Sequence, residues 1–385
     1  MKYDIVWCGK SSDISVEIWA RCFAPPRLGL FWFRALEAAR LEDQFTFFYG
    51  LLQRDGLGVG IIPAFVFGLP LELVIPRGAA RMLGAIARGR LAAFQHARIF
   101  FIGNVAGEEG CVGLQAGVVL KDVVPCIHTA ACSKASELQV PLVVWKDFPE
   151  EDRGQLDIGL SKVTFRVPSF PGTAVPLFAG GFHAYLQTVG SRRRWKLNNK
   201  LRRGELALPT TATIATRPSE VDMARIFELF WQTYERSTTK FERLNLQFFH
   251  AMTGSPEATF VLLHESSSNR IVAFMLVLQL GERVINQFIG LDYSMPKEGF
   301  LYFQLFAAAY DFAALTSAKT MQSGQTGYRG KLELGHGLIP LWNYCTHRNK
   351  LIHWGLSKVA SRISWETLDE DLRMHLRAHA MRPPP

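Results

Sequence analysis

The chain has 385 residues, 48% hydrophobic and 20% charged, with 28 phenylalanines and a net charge of +9 at neutral pH. That length suits two domains and that apolar content fills two cores, which excludes a disordered or fibrous chain. None of the six cysteines has C-x-x-C spacing, which excludes a zinc ribbon or a thioredoxin-like site and suits buried thiols in a reducing compartment.

The first ten residues carry no apolar signal region, so a cytoplasmic location is expected. Gln44–Gln53 and Leu57–Phe67 are apolar runs on either side of an Arg-Asp-Gly turn and read as a hairpin. Gly56–Pro76 is long enough to span a bilayer. It is punctuated by Pro63, Pro70, Pro76 and four glycines, so β-structure is predicted there and no transmembrane span. A basic helix is expected over Ala79–Phe94, a strand over Ala97–Asn104 and mostly helix over Leu114–Leu138. Val140–Trp145 reads as a strand, Pro149–Leu160 as a short helix and Thr173–Phe178 as a strand. A helix is expected over Gly181–Arg203.

In the second half, Ser219–Arg236 is a helix with Ser219 as its N-cap and apolar residues at Met223, Ile226, Phe227, Leu229 and Phe230. Ala258–Glu265, Arg270–Leu280 and Arg283–Asp292 predict a three-strand meander. An apolar helix over Glu298–Thr316, strands over Lys319–Ser323 and Leu338–Thr346, and a charged helix over Trp365–Ala380 complete the pattern. The halves echo each other. Each has a hairpin, a strand bearing Phe-Ile-Gly (Phe101–Gly103, Phe288–Gly290), an acidic-glycine turn (Glu109-Gly110, Glu298-Gly299) and an apolar helix, which predicts a duplication.

Charge concentrates in Ser191–Arg203, with seven basic residues and no acid. Arginine forks make paired bonds to phosphate oxygens and Trp195 adds a stacking surface; the plain alternative is a solvated helix that confers solubility. His336, His347 and His353 have no metal-motif spacing, and no metal is expected. No G-x-S-x-G elbow is present.

Three segments carry a family resemblance: Phe182-His-Ala-Tyr185-Leu186 leading into Ser191–Arg194; Phe230-Trp-Gln-Thr-Tyr234 with Lys240–Arg243 and Phe248-Phe249; and Ser323-Gly-Gln-Thr-Gly-Tyr328-Arg-Gly-Lys331-Leu-Glu-Leu-Gly335. Trp145–Pro149 in the first half also fits. Together they resemble the Fem-like branch of the GNAT superfamily, which includes proteins of peptidoglycan biosynthesis or recognition.

The resemblance implies an α/β (α+β) fold of tandem GNAT-like domains, each a mixed, mostly antiparallel sheet flanked by helices. The expected division is a domain over 1–178, a basic connecting helix over 179–204 and a second domain over 205–385. The implied activity is transfer of an acyl group from a thioester or ester, such as acyl-CoA, to a small-molecule or cell-wall-precursor amine. Two alternatives stand beside it: aminoacyl transfer to a cell-wall precursor from aminoacyl-tRNA, and a non-catalytic module binding an anionic glycan or nucleic acid. The chain departs from the family where GNAT proteins cradle the pyrophosphate of coenzyme A: Tyr293–Phe300 holds a single glycine. On this basis Tyr328 and Asp292 are the expected proton-handling residues. Arg192, Arg193, Arg194, Lys297 and Gly299 are expected to contact the donor or another phosphate-bearing ligand, and Lys331, Tyr293 and Gln325 the substrate.

Overall fold

The computed structural model describes residues 3–69, 97–237, 240 and 242–380. The chain forms two compact units, one of Met1–Leu30, Leu41–Pro171 and Ile339–Pro385, the other of Phe31–Arg40 and Gly172–Leu338. The first unit holds a sheet in the order β1 (Tyr3–Cys8), β2 (Phe45–Arg54), β3 (Leu57–Leu69), β4 (Ala97–Ile102), β6 (Leu142–Pro149), β15 (Leu341–His347) and β7 (Phe165–Pro168), with β5 (Gly113–Leu114) beside β3. The second sheet runs β9 (Thr210–Ala215), β10 (Ala258–Glu265), β11 (Ile271–Leu280), β12 (Arg283–Leu291), β13 (Thr320–Ser323), β8 (Gly172–Pro176) and β14 (Gly337–Ile339).

The two orders are the same, position for position. Three antiparallel strands lead to a parallel pair, β4 with β6 and β12 with β13, followed by an antiparallel strand and a short edge strand. Phe101–Gly103 begins on β4 and Phe288–Gly290 lies on β12, so the matching tripeptides fall on equivalent strands, as a duplication requires.

The expected domain boundaries need correction. The chain passes from β7 of the first sheet into β8 of the second, and later from β14 of the second into β15 of the first. Each sheet therefore takes its penultimate strand from sequence outside its own half. Leu341–His347 pairs with β6, so 339–385 does not belong to the C-terminal domain. The segment 179–204 is part of the second unit rather than a separate connector, and it breaks at Val189-Gly190 into the helices Gly181–Thr188 and Ser191–Ala207.

β-Structure covers Gly56–Pro76 as far as Leu69; its remainder and the expected helix at Ala79–Phe94 lie outside the described residues. Among the described residues no helix is long and apolar enough to cross a membrane.

Packing in the second unit follows from its central strand. β11 is buried at nearly every position, which requires cover on both faces. On one face lies Leu301–Ala314, which buries Leu305, Phe306, Ala309 and Tyr310. On the other lies Glu220–Arg236, capped by Ser219, with Met223, Ile226, Leu229 and Phe230 inward. Gly290 lets this helix seat directly on β12, because a Cβ there would meet the backbone of Leu229 and Phe230 at 2.6 Å. Phe288 joins an aromatic cluster with Phe230, Phe248 and Trp32.

Candidate active site

The parallel pair behaves differently in the two units. In the first, β4 stays paired with β6 up to Ile102, the end of the strand. The chain that follows continues the seal: Gly110 N–H donates to Asp147 O at 2.9 Å, and a Cβ on Gly110 would lie 1.8 Å from Lys146 O. This loop occupies the space where β4 and β6 would otherwise part.

In the second unit the parallel ladder runs from Arg283–Thr320 to Asn286–Ser323 and stops. β12 continues to Leu291, whereas after Ser323 the chain turns through Thr326 (φ 65°) and Gly327 (φ 60°) into the helix Tyr328–Leu334. Lys331 Nζ holds this turn by donating to Gly324 O and to Gln325 O. The strands therefore fork beyond Asn286 and Ser323, and a β-bulge falls on β12 at the same level.

A row of buried polar groups crosses the sheet at the fork. Asn286 Nδ2 donates to Ser323 Oγ at 3.4 Å. Thr173 Oγ1, on β8, donates to Ser323 O, and His336 Nδ1 lies 3.2 Å from Thr173 Oγ1. The threonine proton is committed to Ser323 O, so the network assigns the hydrogen to His336 Nδ1 and leaves Nε2 a bare acceptor. Burial, aided by the Lys331 ammonium, pushes the His336 pKa down to about 3, so the ring is neutral at physiological pH. Asn286 Oδ1, His336 Nε2 and Tyr302 OH are buried without a hydrogen-bond partner. Tyr302 stands on the first turn of Leu301–Ala314, whose Phe306 ring packs on His336. Unpaired buried polar atoms are costly, and three of them in one unit mark a place built for something other than packing.

The site residues expected from sequence fall into separate groups. Tyr328, Lys331 and Gln325 come together in the turn after β13. Tyr328 is wholly buried and is the first residue of a helix rather than the end of a strand.

Asp292 needs correction as a base. Its Oδ2 receives Arg225 at 2.5 Å and Arg270 at 3.0 Å, and its Oδ1 receives the N–H and hydroxyl of Ser294. Burial would raise its pKa, but the Ser294 and Arg225 bonds outweigh it and hold the carboxyl below its ordinary value. Asp292 is thus a saturated anchor joining β12 to Glu220–Arg236. Tyr293 lies beside it, exposed, with the Arg236 guanidinium 4.4 Å from its ring.

Lys297 and Gly299 do not form a pyrophosphate cradle. Gly299 N–H donates to Pro296 O and Phe300 N–H to Lys297 O within a 3-10 turn. A Cβ on Gly299 would meet Leu208 at 2.9 Å, and one on Gly204 would meet Gly299 O at 2.6 Å. The end of the basic helix fills the room a pyrophosphate would need, so these residues do not fit that group.

Along the basic helix, Arg193 packs against Gly335 beside His336, Arg194 bonds Gln187, and Arg192 is exposed. Lys200 reaches Glu333 at 2.6 Å and lies 4.0 Å from the Phe303 ring. The helix thus bridges Tyr328–Leu334 and Leu301–Ala314. Sequence reasoning missed Asn286, Ser323, Thr173 and the non-metal role of His336. The available signal was polar residues at strand positions surrounded by apolar ones, as in Val284-Ile-Asn286-Gln-Phe288.

Residues 191–319 match the family model described as acetyltransferase (GNAT) domain, from the first residue of the basic helix to the threshold of β13. Over nearly the whole chain the fold is similar to FemX, with TM-score 0.57 and 11% identity, covering 93% of this chain and 100% of that one. It is also similar to a conserved protein of unknown function from Bacteroides thetaiotaomicron (TM-score 0.55, 14% identity, 89% of this chain and 99% of that one). L-PGS from Bacillus licheniformis follows at TM-score 0.52 and 12% identity, over 85% of this chain and 93% of that one. No curated protein sequence matches the chain significantly. At these identities the structural likeness speaks to fold, and the family match speaks to the second unit. Residues 191–319 thus carry a match to the acetyltransferase (GNAT) domain, and the chain as a whole has a tandem fold similar to that of FemX.

Proposed function

We propose that the second unit transfers an acyl group from an ester or thioester to an amine, at the fork between β12 and β13. The observation that carries this reading is the end of the parallel ladder at Asn286–Ser323, against the sealed pair in the first unit. An acyl carbonyl laid along the open side of β12 would meet backbone N–H groups of the Gln287–Gly290 stretch, which stabilise the oxyanion formed when the amine attacks. Collapse of that intermediate expels a thiolate or alkoxide, and the Tyr328 phenol is the proposed proton donor to it. His336 Nε2 and Asn286 Oδ1 accept hydrogen bonds from donor groups on the bound substrates, with Lys331 and Gln325 holding the turn that faces them. The role of base is left to solvent or to the second substrate.

The filled cradle at Gly299 favours a donor whose phosphate is held elsewhere, which supports the aminoacyl reading with a cell-wall-precursor amine as acceptor. Arg192, Arg193 and Arg194 are the proposed phosphate contacts. The free thiols of all six cysteines support a reducing, cytoplasmic setting. The test is mass-spectrometric detection of an acylated amine after incubation with acetyl-CoA or aminoacyl-tRNA and a panel of amines. Absence of transfer from either donor, with tight binding of tRNA or glycan, would replace catalysis by a binding role.

A further inference from the structure

Apart from Arg192, the outward face of the helix Ser191–Ala207 has a composition that acyl transfer at the fork does not use. Its inward side carries Leu197, Gly204 and Arg193, which pack on the unit. Facing outward at spacings of three and four residues are Arg192, Trp195, Lys196, Arg202, Arg203 and Leu206. Trp195 is 67% exposed and Leu206 is 77% exposed. They lie eleven residues apart, three helical turns, and so share one line along the helix. None of the four cations has an acidic partner among the described residues, although ten Lys or Arg ion pairs are formed elsewhere in them. Glu205 is the single acid on the helix.

A face meant only for solubility gains nothing from an exposed indole and an exposed leucine, both of which carry a hydration cost. A phosphate-lined RNA backbone would use the cations and could stack on Trp195, but it offers Leu206 no apolar contact. An anionic lipid surface satisfies all six residues at once. The cations meet headgroup phosphates, the indole sits at headgroup level, and the leucine enters the acyl boundary when the helix lies flat.

We infer that this face docks the protein on anionic phospholipid, as a peripheral contact. Arg192 is shared with the proposed donor contacts, so the test leaves it in place; the vesicle assay needs no acyl donor and the transfer assay no lipid, so failure of one is distinguishable from failure of the other.

The experiment is co-sedimentation of the full chain with vesicles of equimolar phosphatidylglycerol and phosphatidylcholine, and with pure phosphatidylcholine, at low and high salt. The expected result is binding to the anionic vesicles alone. Replacing Lys196, Arg202 and Arg203 by Gln together should weaken it about a hundredfold or more. Trp195→Ala with Leu206→Ala should weaken it about tenfold or more and make the remainder strongly salt-dependent. All six side chains are exposed, and unchanged thermal melting confirms that both variants are folded. Failure to bind anionic vesicles, or binding that both variants retain, overturns the inference. Binding of single-stranded RNA or tRNA that depends on Lys196, Arg202 and Arg203, without vesicle binding, reassigns the face to nucleic acid.

Discussion

Asn286 and Ser323 are the last facing residues of the β12–β13 ladder, and their side chains bond at 3.4 Å where the two strands part. Ser323→Ala leaves the buried Asn286 amide without its acceptor, at an expected cost of about 1–3 kcal/mol in denaturant unfolding. Adding Asn286→Leu removes the stranded amide and should recover much of that stability. Acyl transfer should stay impaired in the recovered double variant. A double variant with full activity would show the polar row to be packing alone.

Tyr328→Phe keeps the ring and removes the hydroxyl of a wholly buried residue. If the phenol protonates the leaving group, its loss acts in the transition state, so kcat should fall by about 10²–10⁴-fold with KM little changed. Steady-state kinetics on the donor identified by the transfer assay decides this, and wild-type kcat in the variant removes Tyr328 from the chemistry.

Asp292→Asn should act on stability. The Arg225 side chain is only 14% exposed, and in the variant it loses its buried charged partner and keeps only the exposed Glu228. A loss of about 1.5–3 kcal/mol is expected, as for hydrogen bonds to charged groups. The pH profile of kcat should keep its acidic limb. Disappearance of that limb would restore Asp292 as the base.

Gly110→Ala tests the seal of the first unit. Its Cβ would lie 1.8 Å from the Lys146 carbonyl oxygen, a backbone atom that cannot rotate away. The loop must lift from β6, breaking the Gly110–Asp147 bond, with an expected loss of about 2–4 kcal/mol by thermal or denaturant melting. Catalysis by the second unit should persist in whatever fraction remains folded.

His336 predicts a pH dependence with a definite sign. Its folded pKa is depressed, to about 3 from an ordinary 6.5. Between those values the unfolded chain binds the extra proton and the folded one does not, so stability is full above about pH 6.5 and falls as pH drops toward 3. His128 in the first unit, depressed by burial to about 4, adds a slope of the same sign. His336→Gln should flatten the dependence of Tm on pH between 6.5 and 4, and an unchanged slope would show that the ring titrates normally.

Local sequence determined what local forces govern. The β10–β11–β12 meander follows from apolar runs divided by short polar turns, and the helix at 220–236 from its Ser219 cap and apolar stripe. The repeated Phe-Ile-Gly marked equivalent strands, β4 and β12, which hold the same place in the two sheet orders. The fate of the parallel pair was decided only by tertiary structure. Whether β4 or β12 opens depends on what fills the space beside its partner strand. In the first unit that is the Gly110 loop, held against Lys146 and Asp147 some forty residues further along the chain. The exchange of β8 and β15 between sheets was equally hidden, since a strand's own pattern says that it pairs but not with which strand. Asp292 illustrates the same limit. A carboxylate at the end of a strand has the chemistry of a base, and it became an anchor because folding brought Arg225 and Arg270 to it from other elements.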